Sequence, residues 1–107
     1  MTLKQFAAIL TATKIPTRYG YWPDEKRPKC PYIEYEVAYT SNFGADNKVC
    51  QPITHIDIFL FTDKKDLTSE GAVESALDTA EIFWNKTESF SESEKLYQIL
   101  YEVSIYG

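Results

Sequence analysis

The sequence has little of what the common classes of enzyme require, since its 107 residues include one histidine, two cysteines and four glycines. A metal site built on the single His55 would need carboxylate or thiolate partners. Cys30 and Cys50 lie twenty residues apart and form no CxxC motif, so they carry little metal or redox signal. The chain also lacks a glycine-rich phosphate loop and a GxSxG motif. These shortages predict a protein that is not an enzyme and has no catalytic residue, cofactor or bound metal.

Long hydrophobic runs are missing as well. No apolar segment approaches the roughly 20 residues of a membrane span. Residues 1–13 are too polar and too short for a secretory signal. We therefore expect a chain that stays inside the cell that makes it, has no membrane partner and keeps both cysteines reduced.

Basic residues are outnumbered, with 11 Lys and Arg against 16 Asp and Glu, for a net charge of −5. The deficit is uneven: residues 1–69 hold nine basic and eight acidic side chains, and residues 70–107 hold two and eight. A dedicated nucleic-acid binder would carry a basic face, so we expect no specific nucleic-acid binding. The acidic third is either solvated surface or a surface that repels something negative, such as DNA passing nearby.

Aromatic residues, in contrast, are plentiful at 15% and concentrate in strand patterns. Residues 32–39 alternate cleanly between apolar residues and glutamates, which is typical of a strand with one wet face. Residues 55–62 lose this alternation after Asp57. Ile58 and Leu60 point to one side while Phe59 and Phe61 point to the other, so both faces of this second strand are predicted to be buried from water.

The remaining patterns complete a predicted single α+β domain spanning residues 1–107. Thr2 and Gln5 form a capping box for a first helix, and Thr68 is the expected N-cap of a second, with Glu74 on its wet side. Further strands are predicted at residues 15–22, 82–90 and 96–106, the last two as a hairpin. The order α-β-β-β-α-β-β predicts a largely antiparallel sheet of four to five strands with two helices packed on one face.

Two helices of this length cover about one face of such a sheet. The other face then carries Phe59 and Phe61, with Leu100 as a candidate neighbour. Each aromatic can bury on the order of 150–250 Å², so together they can reach or exceed the apolar patch that a soluble monomer usually exposes. This predicts a subunit interface, unless residues 23–29 or the final hairpin cover the patch.

The segment at residues 42–47 is predicted to be a loop, because it is rich in turn-forming residues. Its unusual member is Phe43, which either folds back onto the core or projects toward a partner. The predicted interface therefore combines this loop with the two strand phenylalanines, and its residues are Asn42, Phe43, Gly44, Asp46, Phe59 and Phe61.

Other functions remain open at this point. His55 and Asp57 lie on one strand face and could bind a metal with Asp63, although such an arrangement is more often a surface ion pair or a strand histidine whose hydrogen bonds are satisfied. Asp63 and Asp66 could bind a cation together with Glu70, whereas helix-cap and turn roles explain the two aspartates with fewer assumptions. A small acidic inhibitor that mimics DNA is a further alternative, suggested by the size, acidity and aromatic content of the chain.

Three segments carry a resemblance to a known family: NFGADN at 42–47, IFLFTDKKD at 58–66 and SEKLYQILYE at 93–102. With the N-terminal helix, they resemble short late-operon proteins of siphophages and prophages of Gram-positive bacteria. The element order is similar to that of the tail terminator, or tail-completion, proteins of these phages. The resemblance extends over nearly the whole chain.

This resemblance implies a ring, usually a hexamer, that caps the tail tube, stops its polymerisation and docks on the DNA-filled head. The implied partners are further copies of the chain, the major tail tube protein and a head-completion or connector protein, with DNA only as cargo in the lumen. The implied location is the host cytoplasm during assembly and then the head–tail junction of the virion. A neighbouring head–tail connector, or neck, protein is the alternative, and the family supplies no catalytic residues.

Overall fold

The computed structural model describes the backbone of residues 1–45 and 48–107, and the side chains of residues 1–42 and 52–107. It confirms the predicted α+β class and the order α-β-β-β-α-β-β. None of the helices in these ranges is long and apolar enough to cross a membrane. The elements are α1 (Leu3–Thr11), β1 (Thr17–Tyr19), a 3-10 turn (Asp24–Lys26), β2 (Tyr32–Ala45), β3 (Lys48–Thr62), α2 (Leu67–Thr79), β4 (Trp84–Ser91) and β5 (Leu96–Tyr106).

The five strands form one sheet in the order β1-β2-β3-β5-β4. Among the strand pairs of the described residues, only the short β1–β2 pair is parallel. Ile58 on β3 lies opposite Tyr35 on β2 and Tyr101 on β5, and all three are buried on the same side of the sheet. Both helices cover this side, as predicted, and insert four fully buried side chains: Phe6, Leu10, Val73 and Leu77.

The start of α1 follows the predicted capping box. The Thr2 side chain accepts a hydrogen bond from the Gln5 backbone N–H at 3.1 Å, and the Gln5 side chain accepts one from the Thr2 N–H at 2.8 Å. Two N–H groups at the helix terminus are thereby satisfied by a reciprocal pair of side chains.

The prediction that Thr68 caps α2 is wrong. The helix begins at Leu67, and its N-cap is Asp66, whose carboxylate accepts hydrogen bonds from the Ser69 backbone N–H at 3.0 Å and the Ser69 hydroxyl at 2.8 Å. These hydrogen bonds, the backbone one foremost, hold the pKa of Asp66 below its ordinary value. Aspartate and threonine are both good caps, and the two bonds to Ser69 favour the aspartate.

A network of charges joins α2 to the sheet. Glu70 is only 2% exposed, and it accepts from the ammonium groups of Lys65 at 2.8 Å and Lys86 at 3.1 Å. Burial opposes its ionisation, yet the hydrogen bonds from the two lysines outweigh that effect and hold the pKa of Glu70 below its ordinary value. Lys65 also contacts Glu88 at 2.6 Å, so the first turn of α2 is tied to strand β4.

Glu74, which the helical pattern placed on the wet side of α2, instead faces the sheet. Its carboxylate accepts from Lys86 at 2.7 Å and from the hydroxyl of Tyr101 at 2.8 Å. Both donors belong to strands that lie far from Glu74 in the sequence. Helical periodicity cannot register such partners, which explains the error.

The β2–β3 hairpin is longer than predicted. The segment expected to be a loop continues the ladder, with Asn42 opposite Pro52 and Ala45 opposite Lys48. The pairing of β3 with β5 ends at Ile53, so the last four or five residues on each arm project by roughly 15 Å past the sheet. The molecule accordingly measures 50 × 26 × 23 Å.

Candidate interface on the open sheet face

The sheet face opposite the two helices, here called the open face, is where the candidate site lies. Strict alternation in β3 and β5 sends every second side chain to this face. Its central rows run across β2, β3 and β5 and comprise Tyr32, Phe61 and Gln98, then Glu34, Phe59 and Leu100, then Glu36, Asp57 and Glu102.

Phe59 and Phe61 lie side by side at the apolar centre of the open face. Their ring centroids are 6.5 Å apart, and Phe61 stacks on Tyr32 at 4.9 Å. Leu100 lies directly opposite Phe59 on β5, as the sequence suggested. All three of Phe59, Phe61 and Leu100 are half-buried within a single chain, and neither helix covers them. Their proposed contact with another subunit stays a prediction.

The segment between β1 and β2 covers one end of the open face. The backbone N–H of Trp22 donates to the carboxylate of Glu34 at 2.9 Å, and Glu34 is 8% exposed. Burial raises the pKa of Tyr32, beside it, to about 12. Trp22 makes this contact, and Arg27, which belongs to the predicted cover at residues 23–29, lines the same end of the face with Tyr32 and Phe61. The alternative that residues 23–29 or the final hairpin cover Phe59 stays a prediction.

A shallow cleft remains between this covering segment and the sheet. It has a volume of about 350 Å³, and its walls include Trp22, Arg27, Phe61 and Gln98. The indole Nε1 of Trp22 is buried and has no hydrogen-bond partner within the described residues. The contact between Trp22 and Glu34 could not be predicted from the sequence, because nothing in the local pattern links these two residues.

Three carboxylates form a row beside the apolar centre. Glu36 on β2, Asp57 on β3 and Glu102 on β5 are directly opposite one another in register. Among the side chains that the structure describes, none of the three takes part in a salt bridge. Like charges directly opposite across a sheet are destabilising. Alternation placed Glu36 on the wet face, but the row depends on register, which sequence does not reveal.

His55 occupies the next row, and its ring is fully engaged. One ring nitrogen, Nε2, lies 2.8 Å from the hydroxyl of Ser41, the other, Nδ1, lies 2.8 Å from that of Ser104, and the ring stacks on Tyr39 at 4.1 Å. The ring bonds to two serines and not to Asp57. The structure thus brings His55 and Asp57 to one face without pairing them.

The side chains that the structure describes include no cluster of metal ligands. No three His, Cys, Asp or Glu side chains there are placed to hold an ion. Asp66 serves as a helix cap, which is one of the roles considered above, whereas Glu70 binds two lysines, a role that the sequence did not predict. Cys30 is a free, half-buried thiol, and burial raises its pKa.

The structure describes the predicted loop residues to different extents. Asn42 is exposed at the start of the projecting hairpin. Phe43 and Gly44 belong to the backbone of strand β2, but the described side chains do not include Phe43. Asp46 lies outside the described residues altogether. The proposed role of these four residues in an interface therefore stays a prediction.

Comparison with known proteins identifies a shared fold. No protein-family model matches the sequence, and no curated protein matches it either. The fold is similar to that of a chain in the solved structure "Virion of native gene transfer agent (GTA) particle", with a TM-score of 0.59 and 13% sequence identity. The match covers 94% of this chain and 84% of that one. At this identity the likeness demonstrates a common fold over nearly the whole length of both chains.

Proposed function

We propose that this chain is a structural, non-enzymatic assembly protein of a phage-like particle, and specifically a tail terminator. In this role, copies of the chain form a ring that caps the tail tube and joins it to the head. The observation that carries the proposal is the open sheet face, where Phe59, Phe61 and Leu100 form an apolar centre that no helix covers. The shared fold with a chain of a gene transfer agent virion supports it, as do the three sequence segments that resemble terminator proteins.

The apolar centre favours a protein partner. Half-buried aromatics that stack on one another retain area that a second surface can cover, and burying apolar area contributes about 25 cal/mol per Å². Aromatic residues are also enriched at the cores of protein interfaces. Phe59 and Phe61 are half-buried aromatics of this kind, and Phe61 stacks on Tyr32, which is itself buried.

The row of carboxylates specifies the charge of the partner. A surface that approaches Glu36, Asp57 and Glu102 relieves their mutual repulsion only if it brings lysine or arginine side chains. Nucleic acid carries the opposite charge to such a partner and would be repelled. The proposed partner is therefore a protein surface that is apolar at its centre and basic beside it, and DNA passes only as cargo.

The test combines the purified chain with the major tail tube protein. Light scattering should show a discrete oligomer larger than a monomer, electron microscopy should show rings, and adding the chain to growing tubes should stop their elongation. Bovine serum albumin at equal concentration serves as the non-specific control for tube growth. A chain that stays monomeric and neither binds nor caps the tube would overturn the proposal.

A further inference from the structure

The sheet has two free edges on opposite sides. Strand β4 pairs with β5 in an unbroken register of eight residues, and no described strand lies on its other side. Strand β2 is paired with β1 only from Ile33 to Tyr35. Beyond this pairing, the backbone N–H of Val37 donates to the side-chain hydroxyl of Tyr19. The outer edge of residues 38–45 is therefore unpaired within the described chain. A free edge exposes N–H and C=O groups that can pair with another strand.

Strand β4 lacks the common obstacles to strand addition. It contains no proline or glycine, and its ladder with β5 has no bulge. Its two charged residues are already neutralised by partners in the same chain, Lys86 by Glu70 and Glu74, and Glu88 by Lys65. A strand added along this edge would therefore leave neither charge without a partner.

The free edge of β2 matches the free edge of β4 in length, direction and charge. Residues 38–45 number eight, as does β4. Three successive antiparallel pairings separate the two strands, so β4 runs antiparallel to β2. If the sheet of one copy continues into the sheet of the next, β4 of the first copy therefore pairs with β2 of the next copy in an antiparallel manner. Residues 38–45 carry no charge, so a register exists that opposes no like charges.

We propose that copies of this chain join by strand addition, with β4 of one copy pairing with residues 38–45 of β2 in the next. In the central register, Thr87 lies opposite Ser41 of the neighbour, and both side chains are on the open face. Each copy contributes a different edge at each of its two contacts, so the interface is heterologous and closes into a ring when the rotation between copies permits. The inference rests on the proposed ring and names the contact that builds it.

Disulfide trapping tests this contact in the full chain. Cys30 and Cys50 are first changed to serine. Ser41→Cys is then combined separately with Asn85→Cys, Thr87→Cys or Ser89→Cys, which samples three registers on the open face. Within one chain these positions are three strand spacings apart, about 14 Å, which is too far for an internal disulfide. A covalent ladder of oligomers under oxidising conditions is expected from one of the three pairs.

The control pairs Thr40→Cys with Thr87→Cys, since Thr40 lies on the helix-covered face and Thr87 on the open face. This pair should give little ladder compared with the best open-face pair. Light scattering of the unmodified chain distinguishes the two proposals. An oligomer in solution without a ladder from any open-face pair would overturn the strand contact and leave the ring standing. A strict monomer without a ladder would overturn both.

Discussion

The hydroxyl of Tyr101 on β5 donates a hydrogen bond to the carboxylate of Glu74 on α2 at 2.8 Å. Tyr101 is fully buried, and burial, followed by the bond to Glu74, raises its pKa. Because Glu74 also binds Lys86 on β4, this one carboxylate connects the helix to the two strands at one side of the sheet. The contact lies on the face opposite the candidate interface.

Removing this hydroxyl should weaken the fold without affecting assembly. Tyr101→Phe keeps the ring and leaves Glu74 bound to Lys86, so we expect a loss of about 1–2 kcal/mol in the free energy of unfolding. Urea denaturation measures it. Tyr106→Phe, at a half-exposed tyrosine on the same strand, is the matched control and should change stability little. Equal effects of the two changes would contradict the importance of the bond.

Stability should fall in acid because of Glu70 and Asp66. Both have a lower pKa in the fold than their ordinary values of 4.5 and 3.8, so the unfolded chain takes up protons first as pH drops. Their stabilisation is thus fully present above those values and is lost as pH falls through the lowered ones. Thermal unfolding between about pH 6 and pH 3 should show this loss.

The acid dependence can be assigned by substitution. Glu70→Gln should lower stability at neutral pH and flatten its dependence on pH below about 4.5. Glu92→Gln, at an exposed side chain that contacts Lys95 at 3.5 Å, should leave the curve nearly unchanged. An acid transition of the same slope in Glu70→Gln would show that other carboxylates cause it.

Charged substitutions at the apolar centre should separate folding from assembly. Phe59→Asp or Phe61→Asp should abolish assembly and leave the chain folded, because a buried unpaired carboxylate opposes a protein contact. Light scattering and circular dichroism measure the two effects. Phe83→Asp, at a phenylalanine that is 79% exposed and outside the open face, is the control. Loss of the folded signal in either open-face variant would show that this face belongs to the core.

Neutralising the middle carboxylate of the row should have opposite effects on the monomer and the assembly. Asp57→Asn removes repulsion toward Glu36 and Glu102, so the isolated chain should gain about 0.2–1 kcal/mol. The same change removes attraction for a basic partner and should weaken assembly, most clearly at low salt. Glu81→Gln, at an exposed residue just after α2 that takes part in no salt bridge among the described side chains, is the control substitution for charge. A variant that assembles more tightly would contradict the proposed basic partner.

The sequence predicted those parts of the fold that depend on local patterns. The alternation of β5 and the capping box of α1 both involve residues within a few positions of one another, and the structure confirms them. The extent of the β2–β3 hairpin was missed because the turn-forming residues at 42–45 pair across a ladder. Pairing across a ladder overrides local turn propensity.

The parts that were missed depend on contacts between distant segments. The helical pattern predicted Glu74 on the solvent-exposed side of α2, because its partners, Lys86 and Tyr101, lie on later strands. The row of Glu36, Asp57 and Glu102 needs the register of three strands, and the contact of Trp22 with Glu34 needs the path of a loop. No propensity of a single residue encodes these relationships.

The strict alternation along β3 has a consequence for how this protein can vary. Neighbouring residues such as Ile58 and Phe59 face the core and the open side, so a substitution at one position can alter the candidate interface and spare the core. Deleting a single residue within this strand would exchange the two sets and turn the interface residues inward. We therefore infer that the chain can adapt to new partners by point substitution in β3, whereas insertions and deletions are tolerable only near its ends.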